Sequence, residues 1–250
     1  MRFSTSTFLA LVVVLSSGGL VAAQARANTF GFESPTYSLG GLTGQDSWAS
    51  ANDDFVVDNV DSTEGSQSAF STTGELSIVT RVLDTSFPVG STIFMSMDVR
   101  GSNAWTTLKD ASGTRLLEFG FANDHSSGLY HFCDICDEGP VDTGSVPDSD
   151  RWVTLWAKFF DGGAGDMRAD IGWTELSGTP FVDGLVVANL EARDVPAQLL
   201  TLGSWNTGEG RFDNIRIIPE PSTLLLGSLA AVGLLMRRRS LVFKAIPEPY

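Results

Sequence analysis

Apolar and polar side chains alternate along short segments of this chain, and that alternation constrains the fold more than any other feature of the sequence. Residues 92–100 show it most clearly, and residues 115–121 and 167–173 repeat it. In the first segment, the apolar face carries Ile93, Met95, Met97 and Val99. A period of two is that of a β-strand with one buried face, whereas no long segment has the 3.6-residue period of an amphipathic helix.

The same alternation, interrupted by clusters of Gly, Asp, Asn and Ser, predicts about ten strands within residues 28–218. The others are predicted at residues 53–60, 76–82, 129–133, 151–160, 182–189, 198–204 and 211–218. Strands with one polar face need a second apolar face to pack against, which two antiparallel sheets about 10 Å apart provide. We therefore expect an all-β fold, a jelly-roll antiparallel β-sandwich. The alternative is an immunoglobulin-like sandwich, which normally takes only about 100 residues.

Residues 1–27 have the composition of a cleavable secretory signal peptide with a short helix. Arg2 supplies the positive flank, residues 8–15 supply the apolar core, and small residues at Ala25 or Ala27 offer a cleavage site. A permanent membrane helix is the alternative, but the apolar run is shorter than the roughly 18 to 20 residues that a span requires. The sequence therefore predicts export through the Sec translocon.

The C-terminal region, residues 219–239, joins three elements in a fixed order. They are the tripeptide Pro219, Glu220 and Pro221, the short apolar stretch at residues 224–236, and the basic cluster Arg237, Arg238 and Arg239. The prolines hold the tripeptide extended, and the arginines are expected to stay cytoplasmic while a short transmembrane helix inserts. Because the apolar stretch is short for a span, it favours a transient anchor.

This order resembles the tripartite PEP-CTERM sorting signal of exported bacterial proteins. The resemblance implies that an exosortase in the inner membrane recognises the tripeptide, cuts near it and passes the protein to the cell surface or an extracellular matrix of exopolysaccharide. An ordinary tail anchor behind a proline-rich linker is the alternative. The chain departs from the family pattern after the arginines, because residues 240–250 continue to a second Ile246-Pro247-Glu248-Pro249 whose role is unknown.

Both ends of the body also carry a resemblance. Residues 30–37, followed by 44–48, resemble the opening strand and loop of concanavalin-like, laminin-G-like sandwich domains. Residues 211–217 resemble the closing strand that such domains place just before a C-terminal signal. The resemblance implies that the two ends of the body lie side by side.

Two cysteines form a Cys-x-x-Cys pair at Cys133 and Cys136. In an exported chain with no further cysteine, we interpret them as a local disulfide, with a metal site as the alternative. The same region is acidic, and Asp134, Asp137 and Glu138 form a candidate calcium site because carboxylate oxygens suit that ion. A solvated acidic loop is the alternative there. The glycine-rich residues 161–166 are interpreted as a hairpin turn.

A candidate glycan-binding face is predicted on the strand at residues 151–160. Trp152 and Trp156 lie four residues apart on the face opposite the expected core, where their rings can stack on sugars. Asp98, Arg100 and Glu118 on neighbouring strands can supply polar contacts. The alternative is that terminal segments cover this face and bury both tryptophans.

The charge of the chain argues against nucleic acid as a partner. With 30 acidic and 16 basic residues, the net charge is −14, and only Glu220 and Glu248 of the acidic residues lie outside the predicted body. Such a charge repels phosphate backbones and suits divalent cations or neutral glycans.

The sequence favours a non-enzymatic protein that needs no cofactor. A glycosidase requires two carboxylates at a set separation, and only Asp98, Glu118 and Asp170 are candidates. The predicted function is an exported surface or matrix protein that takes a glycan ligand. The alternative is a secreted glycoside hydrolase or lyase of concanavalin-like fold, which a shared cleft for those three carboxylates would favour.

Overall fold

A computed structural model describes residues 28–52, 54–73, 75–101, 103–122, 128–132, 151–163, 166–176, 185–205 and 210–219. Within these ranges the chain forms strands β1 to β15 and no helix. Their bounds are β1 Asn28–Phe30, β2 Gly40–Gly41, β3 Trp48–Ala49, β4 Phe55–Asp58, β5 Ser68–Ser71, β6 Ser77–Phe87, β7 Ile93–Arg100, β8 Ala104–Lys109, β9 Arg115–Ala122, β10 Gly128–Phe132, β11 Val153–Gly163, β12 Asp166–Glu175, β13 Leu185–Ala192, β14 Ala197–Ser204 and β15 Arg211–Pro219.

The strands form two antiparallel sheets, here named sheet A and sheet B. Sheet A has the order β13-β12-β11-β7-β15-β5-β4-β2, with β1 pairing separately along β15. Sheet B has the order β10-β9-β8-β14-β6-β3. Strands that are neighbours in a sheet are often distant in sequence, as in β7 and β15 at the centre of sheet A. The predicted all-β jelly-roll sandwich is confirmed.

The core lies between the sheets and is built from the faces that the alternation predicted. Met95 and Met97 on β7 and Leu117 and Phe119 on β9 are all fully buried. Their polar neighbours along each strand point to the opposite face, as a period of two requires. At one end of the core, Trp173 of sheet A meets Phe121 of sheet B edge to face, with ring centroids 6.4 Å apart. The two sheets therefore share one apolar core.

The long, regularly alternating strands were predicted within a few residues, and the exceptions have physical reasons. Strand β8 was not predicted because Ala104–Lys109 is buried on both faces apart from its last residue and so lacks alternation. Strand β5 was not predicted because Ser68–Ser71 is short and built mainly from small residues. The expected hairpin between β11 and β12 is confirmed by their antiparallel pairing up to Gly163 and Asp166.

The two ends of the body pair with each other. Strand β1 runs antiparallel to β15, with Asn28 opposite Ile217 and Phe30 opposite Ile215. This confirms the expectation that the opening and closing strands lie side by side. The predicted signal helix at residues 1–27 and the predicted transmembrane helix at 224–236 lie outside the described residues. Among the described residues, no helix has the length and apolar character needed to cross a membrane.

Candidate functional site

Strand β15 leads directly into the predicted sorting tripeptide. Pro219, the first residue of that tripeptide, is also the last residue of β15 and lies opposite Ile93 of β7. The pairing register with β7 shifts between Asp213 and Arg216, where Asn214 adopts a left-handed backbone with φ of 47°. This β-bulge divides the strand into an initial segment, residues 211–213, and a terminal segment, residues 216–219.

The initial segment is fixed by a buried arginine. Arg211 donates from Nη1 to Asp58 Oδ1 at 2.7 Å and from Nη2 to Asp58 Oδ2 at 3.0 Å. Its guanidinium also lies 4.2 Å from the centroid of the Phe70 ring. A two-point bond of this kind is stronger and more directional than a single ion pair, and the aromatic ring adds a cation-π contact. These contacts tie β15 to β4 and β5.

Asp98 and Asp213, opposite each other on β7 and β15, form a buried carboxylate pair on the outer side of sheet A. Thr63 Oγ1 lies 2.7 Å from Asp98 Oδ2 and 3.0 Å from Asp213 Oδ2. Asp98 Oδ1 also accepts a hydrogen bond from Thr154 Oγ1 at 2.8 Å, and its Oδ2 accepts one from Asn214 Nδ2 at 3.2 Å. Both carboxylate oxygens of Asp98 therefore accept hydrogen bonds from other residues of the sandwich.

The backbone of residues 61–67 crosses over this carboxylate pair and forms a cover for it. Asp213 Oδ2 accepts from the backbone N–H of Thr63 at 2.8 Å and of Glu64 at 3.1 Å. Glu33 holds the other end, because its Oε1 accepts from the N–H of Ser66 and of Gln67, each at 2.7 Å. Burial raises the pKa of Asp213, while the hydrogen bonds from the N–H groups of Thr63 and Glu64 act to lower that pKa.

The prediction that Trp156 and Asp98 face solvent is wrong. Trp156 is only 2% exposed and Asp98 only 3%. The residues opposite Trp156 are Ser96 and Gly172, which are among the smallest residues. Neither side chain is accessible to a sugar ring, which agrees with the alternative of a covered face for this tryptophan.

Trp152, by contrast, remains partly exposed. It lines an open depression of about 520 Å³ together with Arg151, Glu175 and Leu176. Arg151 Nη1 lies 3.2 Å from Glu175 Oε1, so an exposed ion pair borders the indole. The depression combines an aromatic surface with charged hydrogen-bonding groups, which is a composition that suits the ring and hydroxyl groups of a sugar.

The remaining predicted contacts lie apart from this depression. Arg100 forms an ion pair with Asp61 of the cover. Glu118 lies on the outer face of sheet B, where its Oε2 accepts a hydrogen bond from Thr107 Oγ1 at 2.7 Å. Asp98 and Glu118 thus lie on opposite outer faces of the sandwich. Asp170 lies two strands away from Asp98. It is also displaced along the strand direction by four residues, which at about 3.3 Å per residue is roughly 13 Å.

Two further tryptophans, Trp105 on β8 and Trp205 just after β14, were not among the predicted site residues. The indole of Trp105 lies over Gly203, so a Cβ added to that glycine would overlap the indole. The backbone of Trp105 lies beside Gly120, so a Cβ added there would overlap the Trp105 backbone. Glycines inside strands signal such a close approach, so Gly120 and Gly203 are the sequence signal by which Trp105 could have been found. Trp205, just after β14, is 52% exposed.

Several predicted sites fall outside the described residues. These are the disulfide pair Cys133 and Cys136, the candidate calcium ligands Asp134, Asp137 and Glu138, the tripeptide residues Glu220 and Pro221, and the basic cluster Arg237, Arg238 and Arg239. Within the part of the chain that the structure describes, no group of three or more His, Cys, Asp or Glu side chains is placed to hold a metal ion. The disulfide and calcium assignments stay predictions.

A family model described as the PEP-CTERM protein-sorting motif matches residues 218–239. No curated protein matches the chain at a significant level. Similar solved structures include the globular domain of T. cruzi calreticulin, at 12% identity and a TM-score of 0.47, covering 83% of this chain and 97% of that one. They also include a PL-14 alginate lyase from Aplysia kurodai, at 11% identity and 0.48, covering 75% and 100%. Because both TM-scores lie below 0.5, these likenesses carry no argument about ligand or activity.

Proposed function

We propose that this exported protein, which carries a PEP-CTERM sorting motif, is an exosortase substrate whose β-sandwich acts at the cell surface or in the extracellular matrix as a non-enzymatic module that binds a neutral polysaccharide. The sorting part rests on the tripartite signal at residues 218–239. The binding part rests on one observation, the partly exposed Trp152 beside the ion pair of Arg151 and Glu175. A neutral ligand suits a protein of net charge −14.

The absence of catalysis is part of the proposal and is supported by the placement of the candidate carboxylates. Glycosidases need two carboxyl groups about 5 Å, or about 6.5 to 9.5 Å, apart on either side of the substrate. Asp98 and Glu118 lie on opposite faces of the sandwich, and Asp98 is hydrogen-bonded to Thr154, Thr63 and Asn214. Asp98, Glu118 and Asp170 lie apart in the sandwich, which supports a non-enzymatic role over the hydrolase alternative.

The test is binding of the purified protein to immobilised neutral exopolysaccharide, measured with and without calcium. Replacing Trp152 by Ala is expected to weaken binding about tenfold, because a lost aromatic contact of about 1.4 kcal/mol has that effect. The matched control is Trp205→Ala, which removes a different exposed indole, located just after β14, and is expected to leave binding unchanged.

Three outcomes would count against parts of the proposal. Equal loss in both tryptophan variants would remove the depression as the binding site, and no binding to any polysaccharide would leave the body with structural duties only. New reducing ends or unsaturated products in the polysaccharide would show that the protein is an enzyme. Loss of binding on calcium removal would support the calcium site predicted at Asp134, Asp137 and Glu138.

A further inference from the structure

The sorting motif begins within the last strand of the folded body. Pro219 belongs to the tripeptide and also to β15, where it lies opposite Ile93. Two residues before it, Ile217 lies between two strands, opposite Met95 of β7 and Asn28 of β1. An enzyme that binds an extended peptide must replace the peptide's existing partners with its own groups. The folded sheet therefore competes with any enzyme for these residues.

The terminal segment is built to leave the sheet more easily than the rest of β15. Arg216 and Ile218 are exposed and Pro219 is half-buried, so only Ile217 is fully buried among its four residues. The bulge at Asn214 separates it from the initial segment, in which Arg211 and Asp213 make buried polar contacts. A bulge already breaks the regular ladder, so the segment beyond it can open while the initial segment stays paired.

The strands on either side of the terminal segment have anchors of their own. In β1, Asn28 Oδ1 accepts a hydrogen bond from the Asp84 N–H at 2.7 Å, and the Phe30 ring lies 4.3 Å from the Arg81 guanidinium. Strand β7 stays paired with β11 along Ile93 to Val99. These contacts do not involve residues 216–219, so β1 and β7 keep them when the terminal segment opens.

We propose that exosortase captures the sorting tripeptide only when residues 216–219 open from between β7 and β1, with the bulge at Asn214 as the hinge. The inference rests on the proposed function as an exosortase substrate. Since cleavage of a transiently open segment follows the open population when opening is fast, the folded sandwich sets the rate of processing. Processing then depends on a body that is folded and can open at one strand end.

The first test locks the segment with a disulfide between registered partners on β7 and β15. Ser96 lies opposite Arg216, so the full-length double variant S96C/R216C is stapled beside the bulge without any change in the tripeptide. In cells that contain an exosortase, loss of the C-terminal tail is measured by pulse-chase labelling and mass spectrometry. We expect the staple to slow this loss about tenfold or more. We expect the normal rate to return in isolated membranes treated with a reductant. The matched control T80C/T201C staples β6 to β14 and is expected to process at the normal rate.

The second test removes the need for opening. A flexible insert of about eight Gly and Ser residues between Ile218 and Pro219 detaches the tripeptide from the sheet. We expect this variant to be processed about tenfold faster than the natural chain, and we expect the staple to have no effect in its presence. Normal rates for both the stapled chain and the insert variant would overturn the proposal, because they would mean that the enzyme acts before the body folds. If the staple does not form, the insert variant alone decides.

Failure of the sorting assignment would look different. If the natural chain keeps its tail beside an active exosortase, or if Glu220→Ala is processed as fast as the natural chain, then the chain is not an exosortase substrate and the inference falls with that assignment. A natural chain that is processed, depends on Glu220 and ignores both the staple and the insert refutes the opening step alone.

Discussion

Strand β15 begins at Arg211, whose guanidinium donates two hydrogen bonds to Asp58, and it ends at Pro219, next to the exposed side chain of Ile218. Before the bulge, the strand is held by buried charges that each have several partners. After the bulge, it is held by backbone pairing to β7 and β1 and by one buried side chain, Ile217. The comparison teaches that two parts of one strand can differ widely in how firmly they are held, and that the weaker part adjoins the processing signal.

The largest expected effect comes from the initial segment. Replacing Arg211 by Ala leaves Asp58 without its partner and empties the space above Phe70, so we expect a loss of about 3 kcal/mol in the free energy of unfolding. Arg211→Lys keeps the charge but not the two-point bond, and it should lose roughly half as much. Urea unfolding of the purified protein measures both. A loss in R211A no larger than in R216A would break the comparison between the two segments.

Asp213 gives the next largest effect and a pH dependence. Asp213→Asn places an amide where the carboxylate accepts backbone hydrogen bonds from Thr63, Glu64 and Asn214, so we expect a loss of about 2 kcal/mol. Burial raises the pKa of Asp213, so the folded state holds the proton more tightly than the unfolded state does. The contribution of this group to stability is therefore greatest at low pH and declines as the pH rises through the raised pKa.

The variant Asp213→Asn cannot titrate at this position. Its deficit relative to the natural protein should accordingly be larger at about pH 4 than at about pH 7, because the natural protein loses the stabilising proton of Asp213 as the pH rises. Unfolding curves of the two proteins at both pH values provide the measurement. A deficit that grows as the pH rises would mean that the N–H donors, and not burial, control the titration.

The smallest effect is expected in the terminal segment. Arg216 is half exposed, and its Nη2 lies 3.2 Å from Glu64 Oε2 in an exposed ion pair. Arg216→Ala should therefore change the free energy of unfolding by less than about 0.5 kcal/mol. The variants R211A and R216A make the same substitution on the two sides of the bulge in one strand. A loss above about 2 kcal/mol in R216A would show that the terminal segment is as firmly held as the initial one.

The sequence predicted the strands with a clear period of two and the sandwich they build, because alternation reports directly which face is buried. It did not predict β8, since Ala104–Lys109 is buried on both faces and an unbroken run of buried residues has no period. It also assigned Trp156 to solvent, because alternation separates the two faces of a strand without showing whether a second layer covers the outer one. Burial of an outer face depends on tertiary contacts that a strand pattern does not contain.

The candidate site was predictable only in part for the same reason. Trp152 and the sorting tripeptide were identified from local residues. The role of Asp98 was not, because it depends on Thr63 and Asn214, which are 35 and 116 residues away along the chain. The bulge at Asn214 was not predicted either, since its only local sign is an asparagine inside a strand, a residue that tolerates the left-handed backbone found there.

The pairing of Asn28 with Ile217 has a consequence for protein engineering. Because the first and last strands of the body are neighbours, both ends of this domain leave it at one point of the sheet. A domain with adjacent termini can be inserted into a surface loop of a host protein while stretching that loop little. The same geometry makes the body suitable for circular permutation, in which a short linker joins the present ends and new ends are opened in a turn elsewhere in the sandwich.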